Sequence, residues 1–165
     1  MPSKEILQYH HLDSPWGQVK YTIKQFWRFS LSRLALFIPF KGWRAAMCRW
    51  SGVRVGKRVY IGHEVLFDRA FPEQISIGDD TAIGDRCTIT AHGCIPTNTP
   101  LKEIYPLTVK PVKIGNRVWI MSNVTIINGV TVGDEAVIAT GSVVTKDVPS
   151  RCLVAGVPAK VIKQL

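Results

Sequence analysis

The fold is decided by residues 114–149, which divide into six consecutive units of six: IGNRVW, IMSNVT, IINGVT, VGDEAV, IATGSV and VTKDVP. The first residue of every unit is branched and apolar, and the fifth is small or β-branched. A helix places apolar residues about every 3.6 positions and an ordinary strand every second position, so neither explains this spacing. A period of six is typical of parallel β-helices, where stacked strand-and-turn units bury the apolar residues together.

The same register begins earlier in the chain, with VGKRVY from Val55 and IGHEVL from Ile61. It shifts by four residues around 72–74, which we expect to bulge from a corner, and resumes at Ile77. With three units per turn, residues 53–165 are predicted to form about four coils of a triangular prism. Residues 95–111 break the repeat, and a loop of that length is uncommon in a compact fold unless it is functional. After residue 150 we predict a closing strand, a turn and a short basic C-terminal tail.

Residues 1–52 have a different pattern and are predicted to form an irregular start followed by helices that cap the solenoid. From 19 to 50, aromatic and aliphatic residues alternate with Lys and Arg, and Pro39 and Gly42 are expected to divide two helical segments. The longest apolar run is too short for a membrane span, which needs about 20 residues. The segment therefore caps the open end of the solenoid, makes a peripheral contact with an anionic membrane surface, or does both.

Composition narrows the class of protein. The chain has 165 residues, of which 46% are hydrophobic and 20% charged, so a single globular domain is expected. Its net charge is +9, but the basic residues form no recognisable nucleic-acid motif, and no nucleic-acid partner is expected. The four cysteines have no disulfide or metal-ligand spacing, and we expect reduced thiols in a cytoplasmic protein.

The hexapeptide units, the excursion at 95–111, the phrase VTKDVP and the closing AGVPAKVI together resemble the hexapeptide-repeat acyltransferases. The resemblance is to sugar O-acetyltransferases of the maltose, nodulation and colanic-acid type. It implies an all-β fold built as a left-handed parallel β-helix. It also implies a homotrimer with active sites between neighbouring subunits, acetyl-CoA as the acyl donor, and a small saccharide as the acceptor.

His92 is the candidate general base. It is fourth in the unit ITAHGC, so its side chain is expected to point outward near a corner, directly before the excursion. An imidazole titrates near neutral pH and can take the proton of an attacking hydroxyl. The resemblance places the catalytic histidine of the family here, although a surface histidine without a role fits the spacing alone. Asp68 is the candidate for binding the acceptor or orienting His92, with a turn carboxylate as the alternative.

The resemblance also implies which residues contact coenzyme A. Ser122 and Thr140 are each third in their unit, so both are expected to face outward, one coil apart. Cations further along would reach the phosphates. The predicted set is Ser122, Thr140, Thr145, Lys146, Lys160 and Lys163. The two last lysines could equally belong to an ordinary basic tail.

Two departures from the family pattern affect acceptor recognition and chemistry. Cys94 stands where relatives often have a second histidine, which leaves a cysteine nucleophile as a minor alternative. Ile61 and His63 stand where maltose-type enzymes have asparagines. No metal is expected: hydratases of this fold bind a metal through three histidines, and the solenoid has only His63 and His92.

We therefore predict acetyl transfer from acetyl-CoA to a hydroxyl of a sugar or glycan precursor. The alternatives are a non-catalytic trimeric scaffold and an N-acetyltransferase that acts on an amino sugar.

Overall fold

The computed structural model describes residues 4–10, 12, 14–37, 41–94 and 99–165, and it begins with three helices. These are α1 Lys4–Tyr9, α2 Pro15–Phe37 and α3 Lys41–Ser51. The prediction of an irregular start was wrong in part, because α1 is helical and α2 already begins at Pro15. Ser14 Oγ accepts a hydrogen bond from Gly17 N at 3.0 Å, and a proline directly after such a cap is preorganised for a helix. Gly42 lies inside α3 and Pro39 lies outside the described residues, so neither is shown to divide the helices.

Sixteen short strands follow α3 in the described residues. They are β1 Arg54–Val55, β2 Tyr60–Ile61, β3 Leu66–Phe67, β4 Ile75–Ile77, β5 Ala82–Ile83, β6 Thr88–Ile89, β7 His92–Gly93, β8 Thr108–Val109, β9 Val112–Ile114, β10 Trp119–Ile120, β11 Thr125–Ile126, β12 Thr131–Val132, β13 Val137–Ile138, β14 Val143–Val144, β15 Cys152–Gly156 and β16 Ala159–Gln164. Most contain two residues, which is what a six-residue unit leaves for a strand between turns.

Three parallel sheets form the sides of the prism. Sheet A contains β1, β4, β9 and β12; sheet B contains β2, β5, β10, β13 and β15; sheet C contains β3, β6, β11 and β14. In sheet B, Ile61, Ile83, Ile120 and Ile138 are aligned from coil to coil. This alignment confirms the predicted four coils of stacked hexapeptide units. We call the turns that join sheet B to sheet C the B–C corner, and those that join sheet C to the next strand of sheet A the C–A corner.

The stacked first-position residues fill the prism. Ile83, Ile89, Ile120, Ile126 and Ile138 all have 0% exposed surface. The glycine that is second in half of the units allows the coils to approach closely. A Cβ added at Gly115 would overlap Asp134 Oδ1 and lie 2.9 Å from the backbone nitrogen of Asp134 in the next coil, which no alanine tolerates without movement.

Two departures from the repeat are structured. Residues Pro72–Gln74 form a single 3₁₀ turn at the predicted bulge. The excursion leaves the solenoid at β7, which pairs antiparallel with β8, and it includes the short helix α4 Leu101–Ile104. It therefore begins at His92, three residues earlier than predicted, and residues 95–98 lie outside the described part.

The C-terminal segment is not a tail. Residues 159–164 form β16, which pairs antiparallel with β15 and extends sheet B. The hydrogen bonds of β16 satisfy the backbone groups of β15 that would otherwise form an open sheet edge.

The helices pack against the first coil. Arg44 in α3 is buried and donates to the carbonyl of Ile61 at 2.7 Å, and Arg28 in α2 lies 3.3 Å from Glu73. Within the described residues, no helix combines the length and hydropathy that crossing a membrane requires.

Candidate active site

Asp68 and His92 meet on the C–A corner. Asp68 directly follows β3, and His92 begins β7. The register between β3 and β6 aligns Phe67 with Ile89. Phe67 is one residue before Asp68, and Ile89 is three residues before His92. The Asp68 Oδ2 atom lies 2.5 Å from His92 Nδ1. The repeat thus brings together two residues that are 24 positions apart in sequence.

Asp68 is fixed by five hydrogen bonds. Its Oδ1 accepts from the backbone N–H groups of Ala70 and Phe71 at 3.0 and 3.1 Å. Its Oδ2 accepts from the N–H groups of Ala91 and His92 at 2.8 and 3.0 Å, in addition to the imidazole. Burial alone would raise the pKa of Asp68, but the hydrogen bonds from the His92 side chain and the backbone outweigh it and lower the pKa. The carboxylate is therefore ionised at neutral pH.

The ionised carboxylate determines the tautomer of His92. A carboxylate only accepts hydrogen bonds, so Nδ1 carries the proton and donates it to Asp68. The Nε2 atom then keeps its lone pair and can accept a proton. The side chain of His92 is 26% exposed, whereas that of Asp68 is 0% exposed. His92 can therefore meet a substrate, and the Asp68 side chain contacts His92 instead of solvent.

An aromatic cluster from the N-terminal helices lies beside this pair. The ring of Phe71 contacts His92 edge-on at 5.2 Å between centroids, and His10 stacks on Phe71 at 5.2 Å. Tyr9 meets Phe71 at 4.9 Å, and Tyr21 of α2 meets His10 at 5.0 Å. Sequence reasoning missed these contacts, because residues before Val19 lie outside the six-residue period and have no spacing signal of their own.

The predicted coenzyme A residues occupy three places. Ser122 and Thr140 lie two residues after the aligned Ile120 and Ile138, so they are stacked on the B–C corner as predicted. Thr145 and Lys146 follow β14 and are exposed on the C–A corner, two coils beyond His92. Lys160 and Lys163 are exposed on β16. The structure thus places Thr145 and Lys146 on the same corner as His92, and Ser122 and Thr140 on another.

The remaining histidine of the solenoid and the cysteine near the site have other surroundings. Arg44 Nη1 lies 2.9 Å from His63 Nε2, on the corner after β2. Cys94 directly follows β7 and is partly exposed. In the described part of the chain, no group of three or more His, Cys, Asp and Glu side chains could hold a metal ion.

Comparison with known proteins identifies the family. The profile described as bacterial transferase hexapeptide (six repeats) matches residues 111–146. The Bacillus subtilis (strain 168) protein YvoF, provisionally named an acetyltransferase, is 36% identical over 140 residues, which cover 85% of this chain and 76% of YvoF. Galactoside O-acetyltransferase of Escherichia coli (strain K12) is 36% identical over 115 residues, 70% of this chain and 55% of that protein.

A solved structure of a similar protein supports the same family. The hexapeptide-repeat acetyltransferase VCA0836 of Vibrio cholerae, in complex with acetyl coenzyme A, has a TM-score of 0.73 and 25% identity. The match covers 88% of this chain and 89% of that one, and it implies the left-handed coil that the resemblance predicted. The hexapeptide repeat and these relatives therefore define an acyltransferase class. The chain belongs to the hexapeptide-repeat acetyltransferases, and the predicted family is confirmed.

Proposed function

We propose that the protein transfers the acetyl group of acetyl-CoA to a hydroxyl of a saccharide, with His92 as the general base. The observation that carries this proposal is the hydrogen bond of 2.5 Å between His92 Nδ1 and the ionised, buried Asp68. It leaves Nε2 as a proton acceptor on a partly exposed side chain. The relative named galactoside O-acetyltransferase supports a saccharide acceptor, and the neighbour bound to acetyl coenzyme A supports the acetyl donor.

The reaction needs one proton acceptor and two substrates held in contact. His92 Nε2 removes the hydroxyl proton as the acceptor oxygen forms a bond to the thioester carbonyl carbon. The C–S bond breaks, and the proton on His92 passes to the departing sulfur, which gives coenzyme A and an acetyl ester. Asp68 holds the imidazole in the reactive tautomer and stabilises the imidazolium that forms. Its burial supports this orienting role over direct contact with the acceptor.

The distribution of the predicted coenzyme A residues supports a homotrimer. One side of the prism spans about six residues, or at most about 20 Å at 3.3 Å per residue. Ser122 and Thr140 lie one such side away from His92 in the same chain. A groove lined by the C–A corner of one subunit and the B–C corner of its neighbour would bring both sets to one coenzyme A. In it, Lys146, Lys160 and Lys163 supply cations for the phosphates. We also propose a cytoplasmic location for the protein.

The test is thiol release from acetyl-CoA, measured with a panel of free sugars, amino sugars and oligosaccharides. His92→Ala should lower kcat by about 10²–10⁴, the usual contribution of a general base. Lys57→Ala is the control, because Lys57 is an exposed residue on the corner between sheets A and B, outside both corners of the proposed groove, and it should keep kcat within about twofold. Full turnover by His92→Ala would exclude the proposed mechanism. Acetylation of amino sugars alone would assign N-acetyl transfer, and absence of acetyl-CoA binding would favour a scaffold.

A further inference from the structure

One side of α2 exposes a continuous row of large apolar side chains. Trp16 and Trp27 are 76% and 62% exposed, and Phe26 is 64% exposed. In a helix of 3.6 residues per turn, the row occupies one face of about 100°. Trp43 and Trp50 add two further exposed rings to α3, seven residues apart. We call this set the aromatic face: Trp16, Val19, Ile23, Phe26, Trp27, Leu34, Trp43 and Trp50.

The aromatic face is not needed to hold the helices in place. The opposite side of α2 packs against the protein, with Tyr21 8% exposed and Arg28 paired with Glu73. The inner side of α3 buries Ala45 and Cys48. Four of the five tryptophans of the chain lie on the outer side, and a contiguous apolar patch of this kind marks an interaction surface.

Charge identifies the kind of partner. The chain has no Asp or Glu from residue 14 to residue 63, and Lys20 and Lys24 are exposed beside the aromatic face. Residues 1–54 contain nine of the 21 Lys and Arg and two of the 12 Asp and Glu. By subtraction, residues 55–165 contain 12 basic and 10 acidic residues, so a second copy of this chain offers no strongly negative surface to the face. A negatively charged, partly apolar surface does fit it.

We propose that the aromatic face docks the protein on an anionic lipid bilayer, with α2 lying in the plane of the headgroups. Tryptophan rings are enriched at the depth where headgroups meet acyl chains, and lysines beside them contact lipid phosphates. With 23 residues, α2 is about 35 Å long, and the exposed apolar side chains of the aromatic face extend along it from Trp16 to Leu34. Apolar insertion and cationic attraction together are the usual basis of binding by such helices.

The docked helix is also connected to the active site. From Tyr21 on the inner side of α2, ring contacts of 5.0, 5.2 and 5.2 Å lead through His10 and Phe71 to His92. The catalytic corner would thus lie on the inner side of the docked helix, three ring contacts from Tyr21. Such a position suits a saccharide that is carried on a lipid and extends beyond the headgroups, a consequence that rests on the proposed function.

The experiment measures co-sedimentation of the full chain with vesicles of phosphatidylcholine alone or with 30% phosphatidylglycerol. We expect binding to the anionic vesicles only. Phe26→Ser/Trp27→Ser and Lys20→Glu/Lys24→Glu should each lower the partition coefficient about tenfold or more. Trp119→Ser is the matched control, because Trp119 is a 54% exposed tryptophan of sheet B, and it should change binding less than twofold.

A second measurement uses the unaltered protein and so does not depend on the folding of a variant. Brominated lipids in the anionic vesicles should quench most of the tryptophan fluorescence. Equal binding to both vesicles, undiminished binding by the two double variants, or absence of quenching would overturn the proposal. The proposal would also be overturned if the wild type bound no vesicles and the Phe26→Ser/Trp27→Ser variant changed its oligomeric mass. The aromatic face would then be a contact between copies of this chain. Neither assay involves acetyl transfer, so failure here leaves the proposed activity intact.

Discussion

Replacing Asp68 by asparagine tests whether this carboxylate orients His92 or only closes a turn. The substitution keeps the size of the side chain and replaces one acceptor oxygen by a donor NH₂ group. In the better orientation of the amide, its oxygen still faces Ala91 and His92. Its NH₂ group then faces the N–H groups of Ala70 and Phe71, and both of those hydrogen bonds are lost. The reverse orientation loses three.

The size of the effect follows from this count. A net hydrogen bond to a charged group contributes about 1.5–3 kcal/mol, so losing two lowers the free energy of unfolding by about 3–6 kcal/mol. For a chain of this length, each kcal/mol lowers Tm by about 2–4 °C, so the lower figure corresponds to about 6–12 °C. Loss of the anion beside His92 should lower kcat by about 10²–10⁴ while KM for acetyl-CoA changes little.

The assays are thermal unfolding at one fixed protein concentration and steady-state kinetics of thiol release. Asp79→Asn is the matched control, because Asp79 is also a corner carboxylate whose Oδ1 accepts a backbone hydrogen bond, from Lys57 N at 2.8 Å. It should cost about 1 kcal/mol of stability and leave kcat unchanged. Only Asp68→Asn should affect both stability and kcat.

The double variant Asp68→Asn/His92→Ala decides between the two roles. If Asp68 acts through His92, the double variant is no slower than His92→Ala alone, because residues that act as a unit are not additive. A kcat of Asp68→Asn within about threefold of the wild type, with Tm lowered as calculated, would refute the orienting role and leave a turn carboxylate. Additive losses in the double variant would refute it as well.

Three further predictions concern other parts of the chain. Burial is the largest influence on the pKa of His10 and lowers it below 6.5. As the pH falls, His10 therefore gains its proton in the unfolded chain before it does so in the folded protein, and the folded protein loses stability. Tm should drop more from pH 7.5 to 5.5 in the wild type than in His10→Phe. Gly84→Ala should lower the free energy of unfolding, measured by chemical denaturation, by about 1–3 kcal/mol, because its Cβ would lie 2.7 Å from the backbone of the next coil. In the control Gly42→Ala, the added Cβ meets nothing within 4 Å and should stabilise α3 slightly. Cys48, Cys87 and Cys152 are buried, and burial raises the pKa of Cys48 to about 12, so among the four cysteines only Cys94 should react with a thiol reagent at pH 8. Cys94→Ser should abolish labelling and keep kcat, whereas a loss of turnover would support a cysteine nucleophile.

The solenoid could be predicted from sequence because the six-residue repeat alone determines which residues form its core. Each branched residue such as Ile120 packs on its equivalent one coil away, so the period of six contains both the strand and its partner. The alignment of Asp68 near His92 follows from the same register once the four inserted residues around 72–74 are removed. The pairing of a base with a carboxylate was therefore within reach of sequence reasoning, although its hydrogen bonds were not.

Structure outside the period could not be predicted in the same way. The contacts of Tyr9 and His10 with Phe71 join residues about 60 positions apart through a helix whose register the repeat does not constrain. The strand β16 pairs antiparallel with β15, and antiparallel partners share no six-residue spacing. In both cases tertiary packing, and not local periodicity, selects the structure.

The separation of the two corners has a consequence for how the active site is assembled. A general base needs its two substrates in contact, yet in one chain Ser122 and Thr140 face a different corner from His92. If these residues do bind coenzyme A, a single chain cannot complete the site, and activity must follow the concentration of the oligomer. Dilution should then lower specific activity together with oligomeric mass. Constant specific activity in a monomer would instead require the donor to bind along the C–A corner, through Thr145 and Lys146.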